Sequence, residues 1–496
     1  MSSASELDSI VKNRMSRYQR LLDNGGLTFH SYQYEGIEWC LRKEIEQNHI
    51  KGGIVADEMG LGKTITMIGL MFVNIVNKTL IVVPPILMEQ WYNQIYKITG
   101  HKPFIYHGLI KKKIDKCNNK DYNSFMMARI VITTYNLVSI SKKNNKISNL
   151  HKIKWGRVIF DEAHHLRNKN TTRFFGCFNI RSCYRWLLTG TPIQNKKADF
   201  VHLCYILCPE PMKNKDTDKE ELVKQIQEIH FLKRTKKMIG LDIEPLQEND
   251  SIVEWKSLEE KQFAQEIHSL IKVSKVDDTY LTKFAQQLGY GFSQGKKSML
   301  MAVLRAKQSC IMPALMKNTV EWLVDTNKIN KKYLIPLMDN GSESGSSKLE
   351  KVLEKIIERK ENKRGKLVFC QFTKEMNYLY EKLIEYGFTC CIIDGKCVGK
   401  NRISQLEKAF DVLILQIQTA CEGLNLQEFY SEVYFVSPHW NPSVEDQAIG
   451  RCHRMGQKHQ VDVFKFEMSG FDEENKTISL ETHIKMVQEI KRSIRL

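Results

Sequence analysis

Short apolar, β-branched runs alternate with longer amphipathic stretches in the first part of the chain. Four of these runs cover residues 53–56, 80–83, 130–132 and 158–160. Each is apolar throughout, as is typical of strands that are buried on both faces of a parallel sheet. The amphipathic stretches between them predict helices in right-handed βαβ crossovers. The pattern therefore predicts an α/β lobe in this part of the chain.

The same alternation returns in the second half of the sequence. Its apolar runs cover residues 367–369, 391–393, 412–415 and 433–436. They again have the length and composition of buried parallel strands, with amphipathic stretches between them. The predicted fold class is therefore α/β, with two parallel-sheet lobes.

The pattern of polar and apolar residues between the two predicted lobes is different. Long polar–apolar stretches with helical spacing dominate there, and the β-branched runs stop. A Gly/Ser-rich segment at 340–347 then predicts a flexible linker. The predicted organisation is a lead at 1–27, a first lobe at 28–195, a helical insertion at 196–339, the linker at 340–347, a second lobe at 348–470 and a helical tail at 471–496.

Net charge is the unusual bulk property of this 496-residue chain. The formal charge is +17, which favours a polyanionic partner because neutralised phosphates release counterions. Basic clusters such as 233–237 contribute to it, although the simplest interpretation of any one cluster is a solvated surface. No apolar run reaches the roughly 18 residues that span a bilayer, and the first residues lack a signal-peptide pattern. We expect an intracellular protein that is not secreted.

One segment has the composition of a phosphate-binding loop. It follows the predicted strand at 53–56 and opens a helix, whose first N–H groups bind phosphates. Lys63 would reach the β- and γ-phosphates and Thr64 would ligate Mg²⁺. The strict phosphate-loop pattern is not met, because Asp57 stands where its first glycine belongs, and a simple glycine turn is the alternative. The segment consists of Asp57, Glu58, Met59, Gly60, Leu61, Gly62, Lys63 and Thr64.

Two carboxylates follow the predicted strand at 158–160. Asp161 comes at the carboxyl end of that strand, where a carboxylate beside a phosphate loop suits a contact to Mg²⁺. Glu162 would orient or polarise the attacking water. The alternative is an acidic turn with no catalytic role.

Arg451 and Arg454 are the strongest chemical signal in the second lobe. Their i, i+3 spacing predicts that both lie on one face of a helix. A guanidinium fork matches the charge that spreads over the oxygens of a phosphoryl transition state. Surface arginines at this spacing are also common. Together with Lys63, they predict an ATPase that is complete only when its two halves close.

These segments together resemble the Swi/Snf-type ATPases of helicase superfamily two. The resemblance runs in order from about residue 28 to 490, and the segment 451–457 is close to a family signature. The other matching segments are Tyr32-Gln33 with Gly36, 57–64, Val83-Pro84 with Gln90-Trp91, 132–135, 161–164, 188–195, 231–236, 369–372, 423–426, 440–442 and 447–450.

The resemblance implies more than the residues alone do. It implies two RecA-like lobes, ATP and Mg²⁺ as cofactors, and contact between Gln33 and the adenine. It also implies that 83–91 and 423–426 border the nucleic acid. Members of this family use ATP to translocate along duplex DNA, where they remodel chromatin or displace bound proteins, usually without separating the strands.

Other tasks for the same chemistry stay open. The charge does not choose between duplex DNA, single strands and RNA, since all present phosphates. A strand-separating DNA or RNA helicase and a transcription-associated ATPase are therefore alternatives, as is a DNA-binding scaffold with an inactive motor. We expect a targeting or transcription partner protein, no membrane, and a location in the nucleus or at a site of viral genome metabolism.

Overall fold

A computed structural model describes most of the chain. The described residues are 4–115, 119–141, 147–194, 197–214, 217–241, 243–269, 294–316, 346–394, 408–420, 425–471 and 479–493. The chain divides into two compact units between Asp242 and Ile243. Among the described residues, no helix combines the length and the apolarity that a bilayer span requires.

The first unit is built on a seven-stranded parallel sheet. Its strand order is β3-β4-β2-β5-β6-β1-β7, so β1 lies between β6 and β7. Strand β2 is fully buried, and β4 and β5 are buried except for one half-buried residue each, as their apolar sequences predict. The strands are β1 (Gly52–Val55), β2 (Thr79–Val83), β3 (Phe104–Ile105), β4 (Ile130–Thr134), β5 (Trp155–Phe160), β6 (Ser182–Leu188) and β7 (Phe231–Leu232).

Helices cover this sheet, and the first two come from the predicted lead. Val11, Leu21 and Leu22 of that lead are buried in the core of the unit. The helices are α1 (Ala4–Met15), α2 (Tyr18–Gly25), α3 (Ser31–Ile45), α4 (Lys63–Val73), α5 (Met88–Thr99), α6 (Gly108–Asp115), α7 (Asn119–Met127), α8 (Tyr135–Val138), α9 (Asn149–Lys152), α10 (Thr172–Phe178), α11 (Ala198–Leu207), α12 (Pro209–Lys213) and α13 (Lys219–Ile229), with 3-10 turns at Pro85–Leu87 and Ala163–Leu166.

The second unit has a six-stranded parallel sheet. Its strand order is β10-β11-β9-β12-β13-β8. The prediction of two parallel-sheet lobes is therefore confirmed. The strands are β8 (Gln247–Val253), β9 (Gly365–Cys370), β10 (Cys390–Ile393), β11 (Val412–Gln416), β12 (Tyr430–Phe435) and β13 (Asp462–Met468).

Among the described residues, the predicted insertion is divided between the units. Its helices α11, α12 and α13 belong to the first unit, and its helices at Leu258–Ser269 and Gln294–Ile311 belong to the second, which also carries the tail helix. Within the predicted linker, residues 340–345 lie outside the described residues. Ser346 caps a helix that begins at Ser347, so these two residues are ordered rather than part of a linker. The helices are α14 (Leu258–Ser269), α15 (Gln294–Ile311), α16 (Ser347–Glu358), α17 (Thr373–Glu385), α18 (Ile417–Ala420), α19 (Pro442–Ile449) and α20 (Leu480–Ser493), with a 3-10 turn at Pro313–Met316.

The predicted helical insertion also contributes one strand to each sheet. Strand β7 extends the first sheet beside β1, and β8 forms the edge of the second sheet beside β13. Strand β8 has no apolar run because most of its residues are exposed or half-buried at the sheet edge. An edge strand of this kind leaves little hydrophobic signal in a sequence. The other predicted domain boundaries stay predictions.

Candidate nucleotide-binding site

The predicted phosphate loop connects β1 to α4. Gly60 and Gly62 have φ angles of 92° and 75°, a left-handed conformation that glycine adopts without strain. A side chain at Gly62 would also collide with Gln33, because a Cβ atom there would lie 2.6 Å from Gln33 Nε2. Helix α4 begins at the next residue, Lys63, with its N–H groups at the loop. This geometry suits an anion at the N-terminus of α4.

Lys63 lies across its own loop. Its Nζ atom donates hydrogen bonds to the carbonyl oxygens of Asp57 at 2.7 Å and Glu58 at 3.4 Å. The turn after strand β6 comes close on the other side, where a Cβ atom at Gly190 would lie 3.2 Å from Met59 Cγ and 3.6 Å from Lys63 Nζ. The lysine is therefore held between the loop and the 189–191 turn.

Asp161 follows β5 and is held from several directions. Its Oδ2 atom accepts from Trp91 Nε1 at 2.7 Å, its Oδ1 atom from the Glu162 N–H at 2.9 Å, and its carbonyl oxygen from the Tyr135 hydroxyl at 2.6 Å. Burial, followed by the Glu162 charge, raises the pKa of Asp161 to about 6, and the Lys63 charge acts in the opposite direction. The Lys63 charge therefore reaches Asp161, so the structure places the phosphate loop near this carboxylate.

Glu162 has an unusual backbone. Its φ and ψ angles are 49° and 51°, in the left-handed region that few non-glycine residues occupy. Such a conformation costs on the order of 1–3 kcal/mol and persists only where the surroundings impose it, often at active sites. Its Oε2 atom lies 3.1 Å from His164 Nδ1. The strained residue is the one expected to orient water.

The oxygen donors here suit magnesium. Thr64, the second residue of α4, offers a hydroxyl, and Asp161 offers a carboxylate. Mg²⁺ prefers oxygen ligands and usually takes only one or two from the protein, the rest being waters and substrate phosphates. The residues present therefore fit this ion.

Asp57, which replaces a glycine of the usual loop, is fully buried and clamped by an arginine. Arg234 donates to Asp57 Oδ1 from its backbone N–H at 3.0 Å and from Nε at 3.1 Å, and a terminal nitrogen donates to Oδ2. Its other terminal nitrogen donates to the carbonyl oxygen of Tyr32. A Cβ atom at Gly36 would lie 2.7 Å from Arg234. Arg234 therefore ties the phosphate loop to α3, the helix that carries Gln33.

This role of Arg234 was not predicted from the sequence. Interpreting the 233–237 cluster as a solvated surface is wrong for Arg234 and for Lys236, which is buried and pairs with Glu58 at 3.4 Å. The sequence feature that could have indicated such a partner is Asp57. A carboxylate inside a phosphate loop requires a buried cation.

The predicted arginines of the second unit lie in turns rather than on a helix. Helix α19 ends at Ile449, so the predicted shared helix face is wrong for Arg451 and Arg454. The physical reason is that the backbone turns away after Gly450, where the Arg451 carbonyl accepts from the N–H of Leu426 at 3.1 Å. Gly423 and Leu424, also predicted to border nucleic acid, lie outside the described residues, as does Asn195.

The two arginines are nevertheless close to each other. Burial, and then the Arg451 charge, lower the pKa of Arg454 to about 10. One terminal nitrogen of Arg454 donates to Asn425 Oδ1. Two like charges that are partly removed from water repel each other, and an anion relieves that repulsion. This arrangement suits a phosphate group.

Comparison with known families decides what the site belongs to. The family model described as "SNF2-related domain" matches residues 32–385, and "Helicase conserved C-terminal domain" matches 347–456. The chain belongs to the SNF2-related family. The predicted resemblance to Swi/Snf-type ATPases is confirmed, and this SNF2-related chain is a nucleic-acid-dependent ATPase.

The match to individual relatives covers very different shares of their own lengths. The "Probable global transactivator" of Orgyia pseudotsugata multicapsid polyhedrosis virus is 28% identical over 93% of this chain and 89% of its own. "ISWI chromatin-remodeling complex ATPase ISW1" of Saccharomyces cerevisiae is 26% identical over 88% of this chain and 38% of its own. "ATP-dependent DNA helicase DDM1" of Arabidopsis thaliana is 26% identical over 94% and 62%. The SNF2-related chain thus spans less than two thirds of the last two relatives.

A solved structure is also similar. It is described as "Sulfolobus solfataricus SWI2/SNF2 ATPase core in complex with dsDNA". It is 23% identical, with coverage of 95% of this chain and 93% of its own and a TM-score of 0.39.

Proposed function

We propose that this protein hydrolyses ATP with Mg²⁺ in order to move along duplex DNA and remodel chromatin or displace bound proteins. The observation that carries the proposal is the cluster of Lys63, Asp161 and Glu162 at the carboxyl ends of β1 and β5, beside a glycine loop that opens α4. This combination is the nucleotide chemistry of an ATPase.

Each residue has a proposed role in this reaction. The loop N–H groups and Lys63 hold the phosphates, Gln33 contacts the adenine, and Glu162 orients the attacking water. Thr64 and Asp161 would hold Mg²⁺, which would supply positive charge to offset the charge that develops during phosphoryl transfer. Arg451 and Arg454 stabilise the charge of the transition state.

Duplex DNA is the proposed track. The net charge of +17 supports a polyanionic partner. The names of several relatives also refer to chromatin or DNA. The protein would act where DNA is processed, in a nucleus or at a site of viral genome metabolism, with a targeting or transcription partner.

Parallel measurements of ATP turnover test the proposal. Turnover is measured at low salt with duplex DNA, single-stranded DNA, RNA and nucleosomes. We expect the strongest stimulation by duplex DNA or nucleosomes, and a rate that is indifferent to all four would refute the proposal. Preference for single strands or RNA would favour a strand-separating helicase instead.

A second assay examines movement itself. Displacement of a third strand from a DNA triplex reports translocation without unwinding, whereas a forked duplex reports strand separation. We expect ATP-dependent displacement of the third strand from the triplex. We also expect the forked duplex to stay paired. Fork unwinding without triplex displacement would contradict the proposed translocation.

A further inference from the structure

The loop between β12 and α19, residues 438–441, is held by side chains from two other helices. Three consecutive carbonyl oxygens of this loop accept hydrogen bonds from side chains. Because buried carbonyl groups need donors, the loop conformation depends on the helices that supply them. The donors are Lys307 Nζ of α15 to Pro438 at 2.6 Å, Gln488 Nε2 of α20 to His439, and Lys491 Nζ of α20 to Trp440 at 2.8 Å.

Helix α20 also contacts α19 directly. Glu445 of α19 accepts through Oε1 from Gln488 Nε2 at 2.7 Å and from the His439 N–H at 2.7 Å. One turn further along α20, Arg492 pairs with Asp446 at 3.5 Å. A single glutamine thus joins the C-terminal helix to both the loop and α19.

Helix α19 leads directly from this loop to the arginines. It begins after its N-cap residue Asn441 and ends at Ile449, two residues before Arg451. Eight residues of helix form a rod of about 12 Å. A tilt at the loop end is therefore carried to the arginine end. Displacements of about 1 Å in a catalytic group cost on the order of 100-fold in rate.

We propose that Gln488 and Lys491 of α20 are positioning residues that set the orientation of Arg451 and Arg454 through the 438–441 loop and α19. This inference rests on the arginine role in the proposed function. Gln488 and Lys491 act through the loop rather than on the phosphate, so the role belongs to these two side chains and not to α20 as a whole.

The double variant Gln488→Met and Lys491→Met tests this role, since methionine keeps most of each side chain and removes the donor. We expect kcat for DNA-stimulated ATP hydrolysis to fall on the order of tenfold, with KM for ATP unchanged because the phosphate loop is intact. The matched control is Lys485→Met on the same helix. Lys485 pairs at 2.9 Å with Asp250 and with Glu467, away from the loop.

If the loss of any contact of α20 slowed the enzyme, the double variant and Lys485→Met would be slowed equally. Equal kcat values for the double variant and Lys485→Met, at matched thermal midpoints, would overturn the inference. Should the double variant not fold, Lys491→Met and Lys491→Arg decide the question. Arginine keeps a donor and is expected to restore kcat, whereas equally slow Met and Arg variants would overturn the positioning role.

Arg454→Ala separates this inference from the proposed function. An active Arg454→Ala enzyme would overturn the proposed role of the arginines and, with it, the inference, whereas ATP hydrolysis itself is tested by Lys63→Ala. An inactive Arg454→Ala enzyme beside a fully active double variant would overturn the positioning role alone.

Discussion

The two units use the same strand–loop–helix connection in opposite ways. After β1, the loop contains Gly60 and Gly62, and Gly62, the residue that precedes α4, has no side chain with which to cap the helix. After β9, the equivalent turn is closed by the unit's own carboxylate. Glu375 accepts from the N–H groups of Gln371 and of Phe372, the latter at 3.0 Å. Both connections carry N–H groups that favour an anion, and in the second unit a carboxylate of the protein itself takes that place.

The same architecture thus yields one loop with a proposed nucleotide-binding role and one structural loop. The difference lies in a few side chains rather than in the sheet. In the second unit the internal carboxylate makes the helix start part of the fold. In the first unit the glycines place no side chain at the helix start, which suits the proposed binding site, and Arg234 and Lys236 hold the loop from outside. Substitutions at these residues therefore test the comparison.

The largest effect is expected from the proposed catalytic cations. Lys63→Ala and Arg454→Ala should each lower DNA-stimulated phosphate release by on the order of 10³-fold, because each removes charge that balances the transferred phosphoryl group. Lys351→Ala, which removes an exposed lysine paired with Glu354, is the control and should keep turnover. Loss of activity in Lys63→Ala alone would remove the arginines from the mechanism.

The next effect concerns the clamp on the phosphate loop. Arg234→Met leaves Asp57 buried without its cation, and breaking such a pair costs about 3–5 kcal/mol in the free energy of unfolding. We also expect a higher KM for ATP, because the loop loses its anchor. Chemical denaturation measures the first quantity and steady-state kinetics the second.

A double-mutant cycle sharpens this result. Adding Asp57→Asn to Arg234→Met removes the uncompensated charge, so the double variant should be more stable than Arg234→Met alone. Additive losses would mean that the two side chains do not act as a pair.

A moderate effect is expected at Trp91. Trp91→Phe keeps an aromatic ring and removes the hydrogen bond to Asp161 Oδ2. Loss of such a supporting contact typically costs about 10–100-fold in activity or metal affinity. Trp155→Phe is a close control, since Trp155 is equally buried and its Nε1 donates to the Leu150 carbonyl at 2.9 Å. Equal activities of the two variants would show that the Trp91 contact only supports the fold.

The smallest effect should come from Glu375. Burial raises the pKa of Glu375 to about 7 from 4.5. The stability that this group contributes is therefore complete below pH 4.5 and is lost as the pH rises through 7. Relative to Glu375→Gln, the thermal midpoint of the parent protein should fall by about a few degrees between pH 6 and pH 8. A constant difference across this range would contradict the raised pKa.

Much of the fold was predictable because its strands are buried on both faces. Runs such as 80–83 and 412–415 can be predicted as buried strands from their composition alone. Strand β8 does not, because it lies at a sheet edge where polar residues are tolerated. The phosphate loop and the 161–162 carboxylates were predictable because their chemistry depends on a short local sequence.

Contacts between distant parts of the chain were not predictable in the same way. Arg234 lies 177 residues from Asp57, and nothing local identifies it as the partner. The turns at Arg451 and Arg454 depend on a backbone hydrogen bond from Leu426, so helical spacing misled the prediction. Sequence patterns give the ligand-binding groups, whereas tertiary packing decides how they are held.

The left-handed backbone at Glu162 implies a conflict between thermal stability and the rate of ATP hydrolysis. Glycine at this position would adopt the same angles freely and so should make the folded chain more heat-resistant. It would also delete the carboxylate expected to orient water. We therefore expect the same exchange to give a more stable protein that binds ATP without hydrolysing it, a convenient form in which to trap the nucleotide-bound state.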